Sequence, residues 1–235
     1  MQLNIQLCEA FLDSPHGFLS IHQIAKRLEI PYGTAYNRIH LLEEMGVVII
    51  RPHGKAKLCV LNPNSPLTSC LLGLGAASTT SSFFKSETLL SKLLVKVRNN
   101  LENQFHDQMH SAILLNFDSV SQIAFPSPTT ETKDLEETES PETLSNIPLD
   151  LFLVVSENQA QGIDFEPSLN SLAPINFGLK ISLMIVTPSM LLSMLRETEN
   201  EAGISAYNML HKGLVLLGFE KFWSLILKVF NPKIG

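Results

Sequence analysis

Few residues in this chain are spaced for chemistry. His106 and His110 stand four apart, the interval that places two imidazoles on one helical face and suits a metal ion. No cysteine or third ligand is near them in sequence, so the pair reads as two solvent-facing histidines. Cys8, Cys59 and Cys70 are odd in number, scattered, and in no metal or redox spacing. They fit a reducing cytoplasm, which is the expected location. The polar groups that call for an explanation cluster between Ser20 and Asn62. There Gly33, Asn37 and His40, with Thr34 and Arg38 on the flanks, share the side of a helix that faces away from its apolar stripe.

The elements that would position these groups can be read from the same stretch. Ser20 followed by Gln23 is a capping box, and Ile21, Ile24, Ala25 and Leu28 make a helical stripe behind it. Pro31 and Gly33 punctuate a turn and start a second helix. Ala35, Ile39 and Leu42 line one side of that helix, and Gly46 is its stop. Val47 to Arg51 and Lys57 to Leu61 alternate as strands around a Pro-His-Gly-Lys turn. A short apolar helix over residues 3–12 precedes them, with Leu3, Leu7, Ala10 and Phe11 inward.

The run IAKRLEIPYGTAYNRIHLLEEMGVV and the hairpin after it resemble the winged helix-turn-helix of prokaryotic transcription regulators. In that family the second helix enters the major groove and the wing touches the flanking backbone. The resemblance implies that Tyr32, Thr34, Asn37 and Arg38 face double-stranded DNA, with His53, Lys55 and Lys57 on the wing. Asn is a natural reader of adenine and Arg of guanine. The alternative is a module of the same fold used only for protein contacts.

Charge bears on this. The net charge is −6, but residues 126–170 hold ten acids against Lys133 alone, a net of −9 that leaves +3 elsewhere. Residues 1–62 carry six cations and five acids, so DNA binding is expected to be modest and salt-sensitive. The N-terminus lacks the positive start and long apolar core of a signal peptide. No apolar run reaches the ~20 residues of a spanning helix, so no membrane partner is expected. The longest candidate, Ile181 to Leu195, is broken by Thr187-Pro188-Ser189.

Beyond the hairpin, Leu67 to Leu74 reads as a short helix and Ser78 to Ser82 as a flexible connector. Glu87 to about His110 is an amphipathic helix with Leu90, Leu93, Leu94, Val97, Leu101 and Phe105 on its stripe. Strands are expected at Ala112 to Phe117, Pro148 to Ser156 and Lys180 to Val186. Asp118 and Ser119 open a turn, with a helix beginning near Val120. Residues 126–146, rich in Pro, Thr, Ser and Glu, read as a disordered acidic loop. Pro188 to Glu197 is a helix, and Gly203 to Leu227 two more, broken near Gly218. The fold class is therefore α+β: a winged helix-turn-helix over 1–75, a linker over 76–86, and a small mixed α/β domain with C-terminal helices over 87–235.

The stretches ILLNFDS, PLDLFLVV, SLMIVTPSMLLSML and HKGLVLLGFEKFWSLI, in that order, resemble the minimal nucleotidyltransferase fold. That family has Phe-Gly-Ser after its first strand, Asp-x-Asp on the next and a third acid after it, holding two divalent metals against a triphosphate. Here Asp118 stands at the glycine, Ser119 is retained, Pro148 replaces the first metal Asp, Asp150 remains, and Lys180 to Val186 carries no acid. One carboxylate cannot hold two metals, so Ser119 and Asp150 read as vestigial and no catalytic residue, metal site or cofactor is expected. The second domain would then serve dimerisation, ligand sensing or contact with a protein partner. The competing expectation is an active, magnesium-dependent nucleotidyltransferase of a toxin–antitoxin-like pair.

Overall fold

A computed structural model of the chain describes residues 1–12, 17–53, 56–105, 107–124, 148–157, 181–196 and 201–229. Helices and strands are mixed in an α+β arrangement, and the chain divides into two units. One holds residues 1–78 together with 219–235, and the other residues 79–218.

The first unit begins α1 (Gln2–Leu12), β1 (Leu19–Ser20), α2 (Ile21–Arg27), α3 (Tyr32–Glu44), β2 (Val48–His53) and β3 (Ala56–Leu61). The strands lie in the order β1-β3-β2, all antiparallel. The expected capping box is present: the Gln23 N–H donates to Ser20 Oγ at 3.2 Å and the Ser20 N–H to Gln23 Oε1 at 2.8 Å. Helix α1 packs on α2, α3 and β3, and its Leu7, Phe11 and Leu12 are buried. The Arg27 guanidinium donates to the Ala10 carbonyl, tying the end of α2 to the last turn of α1.

Helices α2 and α3 end in the same way. The Ile30 and Glu29 N–H groups donate to the carbonyls of Ala25 and Lys26, and Glu29 is left-handed at φ 53°. After α3 the Val47 and Gly46 N–H groups donate to Leu42 and Glu43, each at 2.8 Å, with Gly46 at φ 72°. Both are Schellman closures, in which one left-handed residue lets two orphan carbonyls find donors. Gly46 fills that role without strain, whereas Glu29 does so with a Cβ in the way.

After β3, Asn62 donates to the Gly46 carbonyl at 2.8 Å and Thr68 to that of Val47 at 3.3 Å, fixing the chain's exit into α4 (Pro66–Phe84). Helix α4 corrects the expected linker: residues 76–84 are helical. Serine and threonine are only mildly poor helix formers, and Thr80 is buried, its hydroxyl donating to the Val215 carbonyl at 2.6 Å. A second correction concerns α9 (Phe219–Val229), which belongs to the first unit and not to the second domain. It buries Phe222, Trp223, Ile226 and Leu227, and Ser69 of α4 donates to Glu220 Oε1 at 3.0 Å.

The second unit contains α5 (Leu89–Phe105), β4 (Met109–Leu114), α6 (Phe117–Ala124), β5 (Leu149–Val155), β6 (Ile181–Val186), α7 (Pro188–Arg196), α8 (Glu201–Lys212) and β7 (Leu214–Leu217). The sheet order is β6-β5-β4-β7, with β5 and β6 parallel and the other pairs antiparallel. Leu90, Leu93, Leu94, Val97 and Leu101 of α5 form a core with Met109, Leu114, Leu149, Leu151, Leu153, Leu214 and Leu216. Strand β7 replaces part of an expected helix. A four-residue apolar run carries no period that separates strand from helix, and pairing with β4 decides the outcome. Helix α6 likewise starts at Phe117, so Asp118 and Ser119 lie in its first turn instead of a loop. The expected acidic loop at 126–146 lies outside the described residues.

Candidate nucleic-acid interface

Helix α3 presents the candidate site. Its buried side is Ala35, Ile39 and Leu42, each fully enclosed. Tyr32, Gly33, Thr34, Asn37 and Arg38 are exposed, as the 3.6-residue period requires. Asn37 lies close to the crown, with Tyr32 and Tyr36 down one flank and Thr34 and Arg38 down the other. Among the described residues Arg38 makes no ion pair.

The rings of one flank form a ladder that the sequence reading missed. Tyr32 and Tyr36 lie 6.1 Å apart between centroids, and Tyr36 and His40 4.4 Å apart at 59°. His40 Nδ1 and Glu43 Oε2 are 2.9 Å apart. His40 is half-buried, so it steadies Tyr36 instead of standing out with Asn37. The i, i+4 spacing of residues 32, 36 and 40 was the available signal. Glu43 and Glu44 load the far end of α3 with negative charge, which leaves its first two turns as the part suited to an anion.

On the hairpin, Lys57 is exposed and pairs with Pro52, and Arg51, a second cation missed in sequence, is exposed opposite Leu58. The backbone of His53 pairs with Ala56 at the end of the ladder. Lys55 and the His53 side chain lie outside the described residues. Cys59, on the inner face of the hairpin, has its thiol pushed up to about 12, chiefly by burial, then by Glu43, with Lys57 opposing.

The second candidate locus lies at the β4–β5 end of the other unit. Asn116 donates from Nδ2 to the Pro148 carbonyl at 2.8 Å and accepts the Asp150 N–H at 3.1 Å. Asp150 is half-buried, while Asp118 and Ser119 are exposed on α6. Among the described residues no three His, Cys, Asp or Glu side chains are grouped to hold a metal ion. The His106–His110 pair is corrected: α5 ends at Phe105, His110 lies on β4, and His106 is outside the described residues. Among those residues no helix is long and apolar enough to cross a membrane. Compared with family models, curated proteins and solved structures, the chain matches none.

Proposed function

We propose that this protein is a DNA-binding transcriptional regulator whose first unit is a winged helix-turn-helix. The observation that carries the reading is the outward face of α3, where Tyr32, Thr34, Asn37 and Arg38 are all exposed on a helix anchored by three fully buried residues. The element order helix, strand, helix, helix and hairpin supports it, as does a hairpin bearing exposed Arg51 and Lys57. In this reading α3 lies in the major groove, Asn37 and Arg38 meet base edges, and the hairpin cations meet phosphate. The second unit is nucleotidyltransferase-like and non-catalytic, serving self-association or a protein partner. Pro148 at the position of a metal ligand and the acid-free strand β6 support that part.

Fluorescence anisotropy with labelled genomic duplexes tests the reading. Arg38→Ala is expected to cost about 1–3 kcal/mol on the preferred duplex and to relax its selectivity. Lys57→Ala is expected to weaken all duplexes alike and to reduce the salt slope by about one. Wild-type binding indifferent to both substitutions would refute the assignment.

A further inference from the structure

Helix α3 carries one residue whose identity the protein's own packing does not require. Gly33 sits in the first turn, exposed, and a Cβ built on it meets nothing within 4 Å among the described residues. Its φ lies outside the left-handed range, so any L residue fits the backbone there. Glycine weakens a helix relative to alanine. The bare backbone at residue 33 therefore gives up stability with no return among the described residues, and close approach of the backbone to an external group is one use that glycine serves.

The surroundings say what that group is. Tyr32 and Tyr36 are exposed beside Gly33, and Asn37 lies one turn further on the same side. Arg38 is on the opposite flank by helical spacing. An uncharged aromatic flank beside a bare stretch of backbone suits an apolar group and not a phosphate. The thymine 5-methyl is the apolar group that base edges present in the major groove, and Asn is the matching partner for adenine. We propose that Gly33 is a specificity-determining position: a thymine methyl seats against the α3 backbone there, with Tyr32 and Tyr36 along one side of it, while Asn37 pairs with a neighbouring adenine. The proposal rests on the duplex-DNA reading of the same helix.

The test uses the full chain and a randomised duplex pool. The best selected duplex is remade with uracil for thymine, one position at a time, which removes only the methyl. Wild type is expected to lose roughly fourfold at one uracil position, the factor that goes with one buried methyl group. Gly33→Ala is expected to melt at or above the wild-type temperature, to bind the selected duplex roughly tenfold or more weakly, and to ignore that uracil. Enrichment by wild type with no uracil-sensitive position, or with Gly33→Ala binding as tightly as wild type, overturns the slot and leaves the DNA reading standing. A pool from which wild type enriches nothing overturns both. The uracil series needs no protein variant, so a poorly folding Gly33→Ala would not spare the proposal.

Discussion

Two left-handed glycines in this protein should respond very differently to the same added methyl. Gly46 and Gly218 have nearly equal backbone angles, φ 72° and 69°. At Gly46 a Cβ meets nothing within 4 Å, so Gly46→Ala bears only the conformational penalty, about 1 kcal/mol once the reduced freedom of the unfolded chain is set against it. At Gly218 the same Cβ overlaps the His110 carbonyl oxygen and falls 2.9 Å from the Ser111 Cα. Ordinary contact begins near 3.4 Å, so β4 and the end of β7 must part at the Ala112–Leu217 pair. Overpacking of this kind adds about 1–3 kcal/mol, for a total of about 2–4 kcal/mol in Gly218→Ala. Urea unfolding followed by far-ultraviolet circular dichroism would read both, with native-state hydrogen exchange at β4 locating the Gly218 effect. Equal losses for the two variants would mean that β4 and β7 absorb the added methyl without steric cost, which would refute the overpacking assigned to Gly218→Ala.

Other outcomes follow from the same structure. Glu29→Gly should stabilise the protein by about 0.5–1 kcal/mol, because it relieves the left-handed Glu29 while keeping the closure after α2, and denaturant midpoints would check it. Cys8 and Cys59 have thiols raised to about 12, each chiefly by burial, while Cys70 is exposed. A thiol reagent at neutral pH should therefore titrate Cys70 alone in the native protein and all three cysteines after denaturation. The sign of the pH effect is fixed too: the folded values lie above the ordinary 9.0, so that stability is intact below pH 9.0 and is lost as pH climbs toward about 12. Incubation with labelled nucleoside triphosphates and magnesium or manganese should give no transfer above an Asp150→Ala control. Transfer that vanishes in the control would favour the enzyme reading.

The first unit was largely legible in sequence because its signals are local. A capping box, a proline-led second helix and Gly46 as a stop are each set within a few residues, and Ala35, Ile39 and Leu42 follow one helical period. What escaped reading depended on distant partners. The Ser/Thr-rich end of α4 resembles a connector until Thr80 finds the Val215 carbonyl 135 residues away. The run Leu214 to Leu217 is strand because β4 offers an edge, and α9 joins residues far from it in sequence. At the candidate site, Asn37 and Arg38 stand out by residue type, whereas Tyr36 is marked only by its i, i+4 spacing to Tyr32 and His40.

Capture of fragmented genomic DNA on the protein at low salt, followed by sequencing, decides whether α3 reads duplex DNA as proposed. A small set of enriched fragments sharing a motif is expected, with the enrichment falling steeply as salt rises and lost in Arg38→Ala. No fragment enriched over bare resin at low salt, or equal enrichment by wild type and Arg38→Ala, would contradict it.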